Sequence, residues 1–307
     1  EICRHFCYNK FWKAASDSKR SIEDAFNDKE LFESIVKNRM GWCLSNEGKE
    51  ENNGNPRPYL FSITDKEIRK GIRNSGLGYG VSNFRPLIAK FIYSKYLSNI
   101  TDYRPVIFDY SAGWGARLLG AMSLDYDYIG VDPLTSDNVR NMYVFYKDKY
   151  KLTTSNASIY NACSEDNNLY DDLYDSGIKV DMCFSSPPYF TLEVYDKTSS
   201  TQSYNKYSEY KEWIKYYWKP TCINCYSILR DGGYFGLVIK DAYGNYNLAA
   251  DMTNVLEDKK LFNYILVDTY HFKTAQSHLS SKSKTKKNEK YSEIIYIYQK
   301  NTVTDNI

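Results

Sequence analysis

From residue 104 onward the chain alternates short apolar runs with amphipathic stretches, and that rhythm constrains the fold more than anything else in it. RPVIFDY (104–110), YDYIGVDP (126–133), ASIYNA (157–162), VDMCFSSPP (180–188) and GGYFGLVIKD (232–241) read as strands. Between them lie ARLLGAMSL, SDNVRNMYVFYKDKY (capped by Ser136 or Asp137) and the long helical run YSEYKEWIKYYWKPTCINCYSILR at 207–230. After a further helix, NLAADMTNVLEDKK, come NYILVDTYHF and YSEIIYIYQK with no helix between them. Strands separated by helices call for a mainly parallel sheet covered on both faces. The last two runs call for an antiparallel hairpin at one edge, making seven strands in an α/β fold.

Residues 1–79 read differently, as a helical region. SIEDAF and DKELFESIVKNRM space Ile22, Phe26, Leu31, Ile35 and Val36 at mostly helical steps, with Asp28 a cap before the second segment. A polar loop at 45–58, a short helix starting at Thr64 or Asp65, and the hinge GLGYGVSNFRP precede a second domain at 80–307. That domain opens on a helix whose Phe84, Leu87, Ile88, Phe91, Ile92 and Tyr96 are expected on one face.

Composition excludes several classes. Lys+Arg 40 against Asp+Glu 38 gives +2, so no global charge marks a nucleic-acid binder and basic patches must be local. No run of 18 apolar residues predicts a membrane span, and EICRHFCYNKFWK lacks a signal-peptide core. The expectation is a soluble, intracellular protein without membrane contact. Seven cysteines at irregular spacing fit no disulfide framework, and Cys222/Cys225 without a second such pair read as buried thiols with no metal. The 31 tyrosines follow a bias shared by Asn, Lys and Ile, so only tyrosines within motifs carry meaning.

Three motifs end successive strands, where open α/β sheets bind ligands. Asp109-Tyr-Ser111-Ala-Gly113-Trp-Gly115 is a glycine turn leading into a helix, whose free amides suit a polar ligand. Leu118 stands where a dinucleotide fold would place a third glycine or alanine. Asp132, 23 residues after Asp109, can accept from ribose hydroxyls or act as a plain turn aspartate. Ser186-Pro187-Pro188-Tyr189 removes two backbone donors and offers carbonyls, a hydroxyl and an aromatic ring to a planar amino group.

Together these residues resemble the class I S-adenosylmethionine-dependent amino-methyltransferases of DNA, over about residues 80 to 300. The resemblance implies a Rossmann-like methyltransferase fold and S-adenosylmethionine as cofactor. It implies that Asp109, Ser111, Gly113 and Gly115 hold the methionine part and Asp132 the ribose. Ser164 and Glu165, within Cys163–Asp166, would flank the adenine, and Phe84 matches an N-terminal cofactor motif. Ser186, Pro187, Pro188 and Tyr189 would be catalytic, holding a flipped-out base while the methyl group transfers in line. Serine at the first motif position favours cytosine N4 over adenine N6.

DNA is the expected partner, with RNA less favoured, and a restriction-modification setting is expected. Methylation of RNA or of protein glutamine, and a non-catalytic subunit, remain alternatives; the intact motifs speak against the subunit. An NAD-binding oxidoreductase would share the glycines and acid but leaves the Pro-Pro-Tyr unexplained. Nucleic-acid contacts are expected from Lys10, Lys13, Lys19, Arg20, Lys37 and Arg39, from the polar stretch 191–207 folding over the base, or from the lysine-rich loop KTAQSHLSSKSKTKKNEK, whose lysines would neutralise phosphates. His271 and His278 read as non-catalytic.

Overall fold

A computed structural model describes residues 2–16, 20–44, 68, 71–72, 83–241, 244–273 and 292–302. The chain divides into two units, one of residues 1–7, 83–190 and 199–307, the other of 8–82 and 191–198. Sequence placed a single cut at 79/80. The structure moves it to 82/83 and assigns residues 1–7 to the larger unit, where Asn138 donates to the Phe6 carbonyl at 2.7 Å. Residues 191–198 join the smaller unit because Glu193–Val194 pair antiparallel with Ala15–Ser16.

The larger unit is built on seven strands: β1 (Val106–Asp109), β2 (Asp127–Val131), β3 (Ala157–Tyr160), β4 (Val180–Ser185), β5 (Leu229–Lys240), β6 (Tyr264–Lys273) and β7 (Ser292–Lys300). Their order across the sheet is β3-β2-β1-β4-β5-β7-β6. β1 runs parallel to β2 and β4, β2 to β3 and β4 to β5, whereas β7 is antiparallel to both β5 and β6. This is the Rossmann-like methyltransferase arrangement. Because β7 inserts between β5 and β6, the expected hairpin closes the sheet with its second strand inside and its first at the edge. All six residues of β4 are buried, as a strand covered on both faces requires.

Helices α1 (Pro86–Leu97), α2 (Ala116–Met122), α3 (Ser136–Val144) and α4 (Asn167–Asp175) belong to this unit. α1 buries Ala89, Ile92, Tyr93 and Leu97, which corrects the expected face: Leu87 and Phe91 are 78% and 51% exposed. α3 is capped by Thr135 rather than Ser136 or Asp137, since Asp132 accepts from the Leu134 and Thr135 amides and holds that turn out of the helix. The expected long helix comprises Tyr210–Trp213, a π segment Ile214–Trp218, and Lys219–Ile228. Pro220 explains the widened turn, because it lacks an amide hydrogen and its ring crowds the carbonyl of Tyr216 four residues back. α6 (Leu248–Leu256) follows this long helix, α5, and packs on β5.

In the smaller unit Ser21 and Asp24 form a reciprocal cap at Ile22–Asn27, and Asp28 accepts from the Leu31 amide at the start of Lys29–Leu44. Ile22, Ala25, Ile35 and Ile72 make a small core with Phe11, Leu31 and Ile68. Phe26 is not part of it; it is 47% exposed, packed edgewise on Trp12. The polar loop at 45–58, the helix start at Thr64 or Asp65, Lys19, the lysine-rich loop and His278 lie outside the described residues.

Candidate active site

The strand order reverses between β1 and β4, and the carboxyl ends of these two strands carry Asp109 and Ser185. Open α/β sheets place ligands at such a reversal. Asp109 is wholly buried, and four groups bond its carboxylate. Arg117 Nε donates to Oδ2 at 2.8 Å and Tyr128 Oη to Oδ2 at 2.6 Å. Ser185 Oγ donates to Oδ1 at 2.7 Å, and the Ser111 amide to Oδ1 at 3.3 Å. Ser185 also donates to the Ser111 carbonyl at 3.2 Å, and Arg117 Nη2 donates to that same oxygen. Asp109 therefore holds the entry of the glycine turn in place through an internal ion pair.

The turn itself needs its glycines. Gly113 has φ +55° and Gly115 φ +77°, both left-handed. A Cβ on Gly115 would lie 2.3 Å from Met142 Cε and 3.3 Å from Val139 Cγ1, so α3 packs directly against the turn. Asp132 binds the far side: its Oδ2 accepts from the Gly113 amide at 3.0 Å, while Thr135 Oγ1 donates to the Gly113 carbonyl. Burial raises the Asp132 carboxyl above the usual aspartate range, against the pull of its three backbone donors. The Thr135 side chain is a further partner of this carboxylate, so Asp132 is fixed firmly beside the turn. A carboxylate held there, next to a turn where Gly113 meets only ordinary contacts, fits S-adenosylmethionine.

Ser186 continues from Ser185, so the Pro-Pro motif is tied through Asp109 to the glycine turn and through Gly113 to Asp132. Ser186 Oγ lies 3.0 Å from Tyr189 Oη, which donates to Glu293 Oε1 at 3.4 Å. Tyr189 is 1% exposed, so the open aromatic plate expected there is a buried ring. The residue after it, Phe190, sits at φ +52° and packs against Tyr210, Trp213 and Tyr246. A bulky residue in that region stores strain of order 1–3 kcal/mol, here offset by aromatic packing.

Phe84 lies edgewise on Phe184, with the Arg117 guanidinium 5.3 Å from its ring centre. It thus borders the Asp109 ion pair. Ser164 and Glu165 carry separate contacts: Ser164 Oγ is 3.0 Å from Thr221 Oγ1, and Glu165 pairs with Lys206 at 2.6 Å. Among the described residues no hydrogen bond joins them to the Asp109–Asp132 network. Cys222 and Cys225 are buried on α5. No group of three metal-binding side chains occurs among the described residues.

Among the expected nucleic-acid contacts, Arg39 is buried, Arg20 pairs with Asp28 at 2.8 Å and Lys37 with Glu33 at 3.4 Å. Lys13 is exposed. His271 is exposed on β6. Sequence reasoning missed Arg117, Tyr128, Ser185 and Glu293. Arg117 had a signal, as the one charge in the apolar helix ARLLGAM.

This strand order, with its antiparallel edge, is that of a Rossmann-like methyltransferase fold. Residues 180–306, under half of the chain, match a family model described as DNA methylase, of the N6/N4 type. Solved structures are similar at low identity. TrmN from Thermus thermophilus aligns with 13% identity and TM-score 0.44 over 70% of this chain and 48% of its own. This chain therefore spans about half the length of that protein. A protein described as a class I S-adenosylmethionine-dependent methyltransferase from Listeria monocytogenes aligns with 14% identity and TM-score 0.46, covering 99% of this chain and 88% of its own. A search of curated proteins finds no match. No helix among the described residues is long and apolar enough to cross a membrane.

Proposed function

We propose that the protein methylates an exocyclic amino group of a DNA base, with cytosine N4 favoured over adenine N6. The observation that carries this reading is the path of hydrogen bonds and chain continuity from Asp132 to the Gly113 amide, along the turn to Ser111 and Asp109, and through Ser185 to the Ser186–Tyr189 motif. It couples the cofactor-type turn to a motif suited to a planar amino group, and the DNA methylase match covers that motif. S-adenosylmethionine, when bound, supplies an electrophilic methyl group. Gly113, Gly115 and Ser111 would receive its methionine part, and Asp132 its ribose. Phe84, Ser164 and Glu165 are proposed as further cofactor contacts.

The chain's own contribution is positioning. The Ser186 hydroxyl and the carbonyls of Ser186 and Pro187 would accept from the amino hydrogens and aim the nitrogen lone pair. Pro187 and Pro188 cannot donate, so they offer no competing amide to that nitrogen. Stacking of a flipped base on Tyr189 requires its ring to be uncovered as the base enters, at the usual flipping cost of a few kcal/mol. DNA contact is assigned to Lys10, Lys13, the stretch 191–207 and the lysine-rich loop. Placement in a restriction-modification pair is part of the same proposal.

The test is label transfer from S-adenosylmethionine to unmethylated genomic DNA and to total RNA in parallel. Label in DNA supports the reading. Label confined to RNA overturns the substrate while keeping the chemistry.

A further inference from the structure

Methylating an amino group releases a proton, and the site described so far gives it no destination. Ser186 Oγ lies 3.0 Å from Tyr189 Oη, and Tyr189 donates onward to Glu293 Oε1 at 3.4 Å. Glu293 is the second residue of β7, directly across from Lys240 on β5, and Lys240 Nζ stands 5.9 Å from the centre of the Tyr189 ring. Resting on the reading above, we infer that Ser186, Tyr189 and Glu293 form a proton relay, with Glu293 the terminal acceptor for the proton leaving the methylated amino group.

The bookkeeping closes with these groups alone. The amino lone pair forms the N–C bond while the C–S bond of the sulfonium breaks, the sulfur keeping that pair. One N–H proton then passes to Ser186 Oγ as the Ser186 hydroxyl proton moves to Tyr189 Oη. The Tyr189 proton moves to Glu293 Oε1, leaving a neutral carboxylic acid that later returns its proton to solvent. Tyr189 is the donor to Glu293, the direction this transfer needs. A 3.4 Å link is long for a hydrogen bond, but such contacts tighten when substrate binds.

Glu293 is suited to the task by its surroundings. Burial raises its carboxyl above the usual glutamate range, and Lys240, the Tyr189 hydroxyl, Arg85 and Arg117 face it and oppose that rise. A proton acceptor works best with its pKa moved toward the working pH. Glu293 acts through Tyr189 and is a positioning residue with respect to the substrate.

The test compares wild-type protein with Glu293→Gln and Tyr189→Phe on the same unmethylated DNA. Expected for Glu293→Gln is a fall in kcat of about 10²-fold, cofactor affinity within a few fold, and loss of the acid limb of the pH–rate profile. Tyr189→Phe should lose that limb too, and the double variant should be no slower than the slower single one. A second readout needs no turnover: since the raised carboxyl costs stability as pH rises, Glu293→Gln should gain Tm over wild type as pH rises above the usual glutamate range. Wild-type kinetics in Glu293→Gln, or a Tm difference flat with pH, would overturn the relay alone. A wild-type protein that methylates neither DNA nor RNA would overturn the functional reading, and the relay with it.

Discussion

Gly115 has room for a hydrogen and little else: φ is +77° and Met142 Cε would lie 2.3 Å from any Cβ. Gly115→Ala should cost about 1–3 kcal/mol, the range for a non-glycine residue held left-handed, and should weaken cofactor binding, read as a lowered urea midpoint and a raised Kd. Asp109 offers a harder case. Its partner Arg117 is buried with it, and removing one member of such a pair typically costs about 3–5 kcal/mol because the other charge is stranded. Asp109→Asn should therefore lose stability on that scale in denaturant titration, whereas a surface change such as Asp137→Asn should lose next to nothing. The three motif segments were legible because each is contiguous, with its chemistry within a few positions. Arg117, Ser185 and Glu293 were not, because the first acts eight residues from its partner and the others lie 76 and 104 residues from theirs along the chain.

At the scale of elements, parallel strands announce themselves because burial on both faces favours apolar runs, as in Val106–Phe108 and Met182–Phe184. The position of β7 between β5 and β6 had no such signal, since a hairpin reads the same whichever strand faces the sheet. α1 misled because its amphipathicity is weak: apolar side chains line more than the buried face, so Leu87 and Phe91 read as core. The turn before β2 carries a test of its own. Asp125 accepts from the hydroxyls of Thr154 and Thr153 and from the amides of Thr154 and Ser155, and these bonds, led by the Thr154 hydroxyl, hold its carboxyl well below the usual aspartate range. A depressed folded pKa contributes stability that is present above the unfolded value near 4 and lost as pH falls. Asp125→Ala should lower Tm at pH 7 and leave a smaller difference from wild type below pH 3. The Pro-Pro element predicts a split: Pro187→Ala should reduce turnover by about 10²-fold, the scale of a small misplacement, while the cofactor Kd stays within a few fold by calorimetry.

At the scale of the whole molecule, the sheet has the Rossmann-like methyltransferase order, and the DNA methylase match at residues 180–306 spans Ser186–Tyr189. Among the described residues of the smaller unit Lys13 is exposed, whereas Arg20 and Lys37 pair with acids and Arg39 is buried, so the proposed DNA contact has fewer basic groups there than the sequence suggested. Binding should accordingly fall with salt by a shallow slope, about one log unit per log salt for each phosphate neutralised. The most direct measurement is nucleoside mass spectrometry of unmethylated DNA after incubation with S-adenosylmethionine and the protein. The account predicts N4-methylcytosine. N6-methyladenine would overturn the choice of base drawn from Ser186 while preserving the amino chemistry, and DNA without a methylated amino base would contradict the central claim.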